Sequence, residues 1–204
     1  AVLKYEKKFL NNKIKSKKIK FSNKDIRKIL KVVDKKLKKS IDIAFVRIKK
    51  FHSQQKFSSF KYKDEFKNEL SYRYSPIDRV GVYVPGGTAS YPSTVLMNCI
   101  PALVAGVKNI YLTTPAYGSQ VNPAIIYAAK KCGVKEIYKT GGAHSIAAFT
   151  YGTKSYKKVD KIVGPGNAFV ASAKKEVFGE VGIDMVAGPS EVSIIADKNS
   201  EPDW

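Results

Sequence analysis

Residues 159–170 read VDKIVGPGNAFV, and this segment is the most informative about the fold. It opens with a short β-branched run ending at Ile162 and Val163, which is typical of a buried strand. The turn residues GPGN follow at 164–167, and an apolar, helix-forming series begins at Ala168. A strand that leads into a helix through a glycine turn is the repeating unit of a parallel α/β sheet. We therefore predict a strand over 160–163 and a helix over 168–178.

The same order of strand, turn and helix recurs along most of the chain. Glycines follow three of the apolar runs, at positions 86 and 87, 141 and 142, and 164 and 166. Apolar strands this short and continuous are typical of a sheet that helices cover on both faces. We therefore predict an α/β fold with a parallel sheet. Its strands are expected at 80–84, 109–113, 136–139, 160–163 and 192–196, and its helices at 93–105, 123–131, 143–149 and 168–178.

The three glycine loops are expected to lie together, because parallel strands end at one edge of their sheet. Helix N-termini at that edge offer unpaired N–H groups, which favours phosphate or dinucleotide binding. The turn at 164–166 has half of the dinucleotide fingerprint, but Phe169 stands where the third glycine belongs. Asp184 and Glu191 lie at about the spacing of a ribose-binding acid, yet neither clearly ends a predicted strand. The pattern therefore predicts a poor example of the usual Rossmann site.

The first 75 residues carry most of the positive charge. They hold 24 Lys or Arg against 7 Asp or Glu, a net charge of +17 out of +20 for the chain. Such a basic segment invites a polyanion-binding hypothesis. Nearly all these residues are lysine, whereas nucleic-acid recognition prefers the planar fork of arginine. We therefore favour a solvated lysine surface and keep nucleic-acid binding as the alternative.

Residues 1–75 are predicted to be mostly helical. Ser22 precedes an apolar series from Ile26 to Leu37, which is typical of a capped amphipathic helix. A second helix is predicted over 40–50. The aromatic stretch 57–74 has no clear period and is not assigned.

Side chains with catalytic potential are few. His52 and His144 are the only histidines, and neither has a carboxylate at metal-ligand spacing. His52 is expected at the surface, whereas Cys99 and Cys132 lie in apolar helical stretches and are expected to be buried free thiols. Ser190, in the sequence GPSE, has no evident histidine partner, so a ligand-contacting turn serine is favoured over a nucleophile. No apolar run approaches the roughly 18 residues of a membrane-spanning helix.

Five sequence blocks together resemble the histidinol dehydrogenase family. They are GVYVPGGTA at 81–89, YPSTVLM at 91–97, GGAHSIAA at 141–148, VDKIVGPGNAFV at 159–170 and IDMVAGPSEV at 183–192. The blocks occur in the family's order and cover roughly residues 76–197. The beginning of the chain matches more weakly, although AVLKY at 1–5 is similar to an early helix of that family. The resemblance implies a Rossmann-like NAD-binding fold.

The resemblance also implies the roles of particular residues. Tyr83 and Asn167 match positions that contact NAD, and Ser190 matches a position that contacts the substrate. His144 stands where the family usually has a glutamine that contacts NAD. An imidazole can replace an amide in a hydrogen bond, but it can also change its charge near neutral pH.

Family members oxidise L-histidinol to L-histidine with two equivalents of NAD, through an aldehyde, and hold one zinc ion per subunit. The resemblance implies a cytoplasmic homodimer and places the zinc ligands and catalytic Glu and His beyond Trp204. The resemblance then implies that this chain is an internal piece, truncated at both ends and inactive alone. Because the N-terminus would be missing, organellar targeting stays open. The inert product of a degraded gene is a further alternative.

The resemblance also divides the chain into domains. Residues 1–80 would belong to a partial first α/β domain, residues 81–189 to the NAD-binding domain, and residues 190–204 to a strand that returns to the first domain.

Overall fold

The computed structural model describes residues 1–10, 14, 18–55, 57–86, 91–116, 121–186 and 191–201. Two sheets lie in these ranges. An antiparallel hairpin consists of β1 (Phe60–Lys63) and β2 (Glu69–Tyr72). A parallel sheet consists of β3 (Arg79–Tyr83), β4 (Asn109–Thr113), β5 (Glu136–Tyr138), β6 (Lys161–Val163) and β7 (Gly182–Ile183), in the spatial order β5-β4-β3-β6-β7.

The helices of the described ranges cover both faces of the parallel sheet. They are α1 (Val2–Leu10), α2 (Asn23–Val32), α3 (Lys35–Ser53), α4 (Pro92–Val104), α5 (Pro123–Lys131), α6 (Gly142–Tyr151) and α7 (Ala168–Glu176). Helices α2 to α5 contribute to one core cluster, and α1, α6 and α7 contribute to the other. The predicted parallel α/β fold with two covered faces is therefore confirmed. None of these helices is long and apolar enough to cross a membrane.

The order of the strands reverses at β3. The chain runs outward from β3 to β4 and β5, and then returns to place β6 on the other side of β3. Right-handed crossovers put the connecting helices on one face before this return and on the other face after it. Ligands of such sheets bind where the order reverses, beyond the carboxyl ends of the strands. The topology thus singles out the ends of β3 and β6.

The first core cluster encloses both cysteines. Val82, Leu112 and Ile126 of this cluster are wholly or almost wholly buried, and Cys99 and Cys132 pack among them as free thiols. The contact with Cys132, together with burial, raises the pKa of the Cys99 thiol well above its ordinary value. The predicted buried free thiols are confirmed.

An aromatic cluster lies on the other face. The rings of Tyr138 and Tyr156 stack with centroids 3.8 Å apart, and Phe149 meets both of them edge-on. Offset and edge-on aromatic pairs stabilise a core by about 0.5–1.5 kcal/mol beyond their buried area. These rings secure α6 and the segment after it against the sheet.

The helices of the N-terminal segment divide differently from the prediction. The break falls at Val33 and Asp34, so Leu37 belongs to α3, which begins at Lys35 rather than at residue 40. Asp34 explains this boundary because its carboxylate accepts the Leu37 N–H at 2.9 Å and caps α3. The unassigned stretch 57–74 contains the β1–β2 hairpin, whose strand residues are all exposed.

Residues 19–21 protect the outer edge of β5. The Phe21 N–H donates to the Ile137 carbonyl at 3.0 Å, and the Lys139 N–H donates to the Ile19 carbonyl at 2.8 Å. An unpaired strand edge invites association with other chains. This short antiparallel pairing also ties the basic segment to the sheet.

The predicted strand over 192–196 is wrong, because residues 191–197 form neither helix nor strand. Val192, Ile194 and Ile195 are 77%, 85% and 100% exposed, and no strand in the described ranges pairs with them. An apolar run becomes a strand only where a partner supplies hydrogen bonds. The proposed return of residues 190–204 to a first domain stays a prediction.

Replacing Ser22 by Ala should cost about 1 kcal/mol of unfolding free energy, measured by urea denaturation. The Ser22 hydroxyl accepts the Asp25 N–H at 3.1 Å, and the Asp25 carboxylate accepts the Ser22 N–H at 3.2 Å. Hydrogen bonds from Ser22 also lower the pKa of Asp25. Ser40→Ala is the control, because the Ser40 hydroxyl only donates to the Lys36 carbonyl inside α3. Equal losses in the two variants would contradict a capping role.

Candidate cofactor-binding site

The carboxyl ends of the strands are drawn together by close backbone contacts. A Cβ atom at Gly141 would lie 2.3 Å from the Pro115 ring, and one at Gly86 would lie 2.9 Å from the Pro115 carbonyl oxygen. Glycine at 141 therefore lets the loop after β5 approach the loop after β4. The predicted meeting of the glycine loops at one edge is confirmed for their described residues.

The turn after β6 also requires glycine at its first position. Gly164 has a φ of +111°, and a Cβ atom there would lie 2.1 Å from the Tyr83 carbonyl oxygen. The end of β3 thus packs directly against the first residue of the GPGN turn. This contact lies at the point where the strand order reverses.

Tyr83 connects two of these loops. Its side chain extends from the end of β3 into the second core cluster and is 3% exposed. Its hydroxyl accepts the Gly142 N–H, the first amide of α6, at 3.0 Å. Tyr83 therefore lies with its backbone against Gly164 and its hydroxyl at the start of α6.

Asn167 is the N-cap of α7. Its Oδ1 atom accepts the Val170 N–H at 3.1 Å, and the residue is otherwise exposed. The cap fixes the side chain beside the GPGN turn and leaves its Nδ2 group toward the exposed side. A ligand at this edge could use that amide as a donor.

A buried lysine holds the GPGN turn in place. Lys174 of α7 is 4% exposed, and its Nζ donates to the Gly164 carbonyl at 3.1 Å and to the Asp184 carboxylate. Asp184 in turn accepts the Gly164 N–H at 2.8 Å. Both the N–H and the carbonyl of Gly164 are therefore hydrogen-bonded, which stabilises this conformation of the turn.

Asp184 directly follows β7, so the expectation that it does not end a strand is wrong. Two residues were too short a strand to recognise from sequence. Burial raises the pKa of Asp184, but the hydrogen bonds from Lys174 and from the Gly164 and Met185 amides outweigh this effect, and the pKa is lowered overall. Its carboxylate binds the glycine turn rather than standing open for a ribose.

His144 lies in the first turn of α6 and contacts helix α1. Its Nε2 atom is 2.8 Å from Oε1 of Glu6, and its ring packs 6.0 Å from the ring of Tyr5. The same Glu6 oxygen accepts the Gly141 N–H at 2.7 Å. A protein carboxylate therefore occupies the start of α6, where the sequence indicated a phosphate site. Nothing in the sequence distinguished Glu6 for this role.

A chain of hydroxyl groups lies beneath the start of α6. Tyr156 is fully buried, and its hydroxyl contacts Thr140 and lies 2.9 Å from Thr113. The Ser145 hydroxyl continues the chain by donating to Thr140 at 3.1 Å. Burial raises the pKa of Tyr156 above its ordinary range, so the phenol is neutral. These buried polar groups fix the loop after β5.

The structure brings Tyr83, His144 and Asn167 to the same edge of the sheet. Tyr83 touches Gly142, two residues from His144, and Gly164, three residues from Asn167. Ser190 lies outside the described residues. His52 lies at the end of α3, with its Nδ1 atom 2.6 Å from Gln55 Oε1, and it lines a groove of about 1040 Å³.

Metal ligands are not clustered in the part of the chain that the structure describes: no three His, Cys, Asp or Glu side chains there could share an ion. The placement of a zinc site outside this chain stays a prediction.

The parallel sheet reverses its strand order at β3, and glycines occupy the loops after β5 and β6. These features define a Rossmann-like α/β protein. The family model for histidinol dehydrogenase matches residues 1–204. The chain belongs to the histidinol dehydrogenase family.

Individual relatives agree with this assignment. Histidinol dehydrogenase from Pelagibacter ubique is 58% identical over 205 residues, and the one from Mesorhizobium japonicum is 48% identical over 204 residues. Each match covers 100% of this chain and 47% of the relative. The crystal structure of histidinol dehydrogenase from Elizabethkingia anophelis has a TM-score of 0.89 and 42% identity, over 99% of this chain and 47% of that one. The chain spans about half the length of these relatives.

Proposed function

We propose that this chain is part of an NAD-dependent enzyme that oxidises L-histidinol to L-histidine through the aldehyde histidinal. The observation that carries the proposal is the match of the whole chain to the histidinol dehydrogenase family. The strand-order reversal next to Tyr83 supports it, because dinucleotides bind at such a point in sheets of this kind. The basic surface of residues 1–75 has no comparable support as a nucleic-acid site.

The residues at the strand ends fit a dinucleotide. Gly141 and Gly164 let their loops pack tightly against Pro115 and Tyr83, which fixes the strand ends that would receive the cofactor. Tyr83, His144 and Asn167 would hold the cofactor. Asn167 supplies an exposed amide at the start of α7, and Tyr83 braces the start of α6. A bound NAD would supply the hydride acceptor for the oxidation, and the residues of this chain would bind and orient it.

Other parts of the proposal extend beyond the described residues. Ser190 would contact the substrate, and one zinc ion per subunit would be held by ligands outside this chain. We also propose that the whole enzyme is a cytoplasmic homodimer. The division into residues 1–80, 81–189 and 190–204 belongs to the same proposal. Helix α1 packs against α6, α2 against α5 and α3 against α4. The N-terminal helices therefore pack on the helices of the parallel sheet.

The purified 204-residue chain should bind NAD but should not reduce it when histidinol and zinc are added. Binding is measured by calorimetry and turnover by absorbance of NADH. Asn167→Ser should weaken NAD binding about tenfold, because serine keeps the helix cap but removes the amide donor. Asn23→Ala, at an exposed position of α2, is the control and should bind as the unchanged chain does.

Two outcomes would contradict different parts of the proposal. Absence of NAD binding would remove the cofactor assignment of this edge. Zinc-dependent oxidation of histidinol by this chain would instead show that the catalytic groups lie within it.

A further inference from the structure

Glu6 is a buried carboxylate beside the start of α6, at the edge of the candidate site beyond the ends of β3, β5 and β6, which we call the cofactor crevice. It is 0% exposed, although it lies on α1, far in sequence from the loops that it contacts. Its Oε1 atom accepts the Gly141 N–H at 2.7 Å and lies 2.8 Å from Nε2 of His144. Burial of a carboxylate is unfavourable unless hydrogen-bond donors surround it. Glu6 therefore has a defined set of partners at the start of α6.

We propose that Glu6 is a positioning residue of the cofactor crevice, which orients the imidazole of His144 so that Nδ1 faces the ligand as a hydrogen-bond acceptor. This inference rests on the proposed cofactor-binding function of His144. Glu6 acts through His144 and does not touch the cofactor.

The first step of the argument is the tautomer of His144. A carboxylate only accepts hydrogen bonds, so the contact with Glu6 requires a proton on Nε2. In a neutral imidazole, a proton on Nε2 leaves Nδ1 as an acceptor. Within the described ranges, Nδ1 has no hydrogen-bond partner of its own.

The second step is the space beside Nδ1. Gly142 lies next to the ring, and a Cβ atom at this position would lie 3.4 Å from Nδ1 and 3.3 Å from Cε1. Glycine at 142 therefore adds no side chain against this part of the ring, and 10% of the surface of the His144 side chain remains exposed. Tyr5 packs at 6.0 Å and Glu6 binds Nε2, so the ring is held by α1.

These two features restrict the ligand group that can meet His144. An acceptor nitrogen binds a donor such as a ribose hydroxyl, whereas a phosphate oxygen would need an additional proton on the ring. The negative charge of Glu6 at the start of α6 also disfavours a second anion there. The cofactor phosphates are therefore directed away from α6, toward the start of α7, and a hydroxyl is directed toward His144.

The tautomer of His144 can be measured directly by NMR on the protein without any substitution. Labelling with ¹⁵N-histidine gives signals from only His52 and His144, and long-range proton–nitrogen spectra at about pH 8 distinguish the two neutral tautomers. His144 should carry its proton on Nε2. His52 is an internal reference for the other tautomer, because its Nδ1 donates to Gln55 Oε1. A proton on Nδ1 of His144 would overturn the proposal even if every variant failed to fold.

The variant Glu6→Gln tests the effect on the cofactor. Glutamine can donate as well as accept, so it no longer dictates the tautomer of His144, and NAD should bind about tenfold more weakly. The control is Glu176→Gln, which removes the same charge from an exposed position of α7 and should change binding by less than about twofold. NAD should shift the His144 signals, whereas inorganic phosphate should leave them in place.

The outcomes separate this proposal from the proposed function. Failure of the unchanged chain to bind NAD would reject the function. NAD binding with equal affinity in Glu6→Gln and the unchanged chain would reject only the positioning role of Glu6, and so would a phosphate-induced shift of the His144 signals.

Discussion

Substitution of Gly164 by Ala should lower the unfolding free energy by about 4 kcal/mol. The backbone at φ +111° strains any residue with a Cβ atom, at a cost of about 1–2 kcal/mol. The new Cβ atom would also lie 2.1 Å from the Tyr83 carbonyl oxygen, and overpacking of this kind adds about 1–3 kcal/mol. Since a domain has only about 5–15 kcal/mol of stability, the loss should be obvious in urea denaturation.

Gly179→Ala separates these two contributions. Gly179 has a φ of +105°, close to that of Gly164, but nothing lies within 4 Å of its missing Cβ atom. The control should therefore lose only the strain of about 1–2 kcal/mol. Losses of the same size in both variants would mean that the contact between Gly164 and Tyr83 does not constrain the turn. NAD binding should also fall in Gly164→Ala alone.

Replacement of Lys174 by Met should cost about 2–4 kcal/mol near neutral pH. Methionine fills the space but leaves the Asp184 carboxylate and the Gly164 carbonyl without their donor. Removal of one partner of a buried ion pair usually costs about 3–5 kcal/mol. Asp184 keeps the Gly164 N–H and its side chain is 30% exposed, so the lower range is expected here.

The cost of Lys174→Met should shrink in acid. Asp184 has a pKa lowered below its ordinary value of about 3.9, so folding favours its charged form. This stabilisation is present above about pH 4 and is lost as the pH falls through the lowered pKa. Urea denaturation at a series of pH values should therefore show the two proteins converging below about pH 4.

The neighbouring variant Lys175→Met controls for lost charge, because Lys175 is exposed in the same helix. It should change stability by no more than about 0.5 kcal/mol. A difference between Lys174→Met and the unchanged chain that does not depend on pH would mean that packing, rather than the ion pair, accounts for the loss.

The sheet domain was largely predictable because its signals are local. The strands at Asn109–Thr113 and Lys161–Val163 are short, apolar runs bounded by turn residues, and helix α5 begins at a proline and matches the predicted range. Two predictions in other parts of the chain were wrong, because strand pairing and helix capping decided the secondary structure there. The run 192–196 has strand-forming residues but no paired strand in the described ranges, and the break between α2 and α3 depends on an Asp34 cap.

The candidate site was predictable in part. The family resemblance named Tyr83, His144 and Asn167, and the topology puts all three at one edge of the sheet. The family resemblance did not indicate that the Tyr83 hydroxyl accepts the Gly142 N–H at the start of α6. It also did not indicate that Asp184 accepts the Gly164 N–H in the glycine turn. These contacts join residues from distant parts of the chain.

The five motif blocks indicated the family. Periodicity and turn preference, which are local properties of neighbouring residues, indicated the alternation of strands and helices and the glycine turns. Which charged groups support those turns depends on the fold. Lys174 is one lysine among many and Glu6 lies on a short basic helix, yet folding buries both and gives each specific partners. A buried charge is stable only when donors or acceptors surround it, and those partners are assembled by the fold rather than by adjacent sequence.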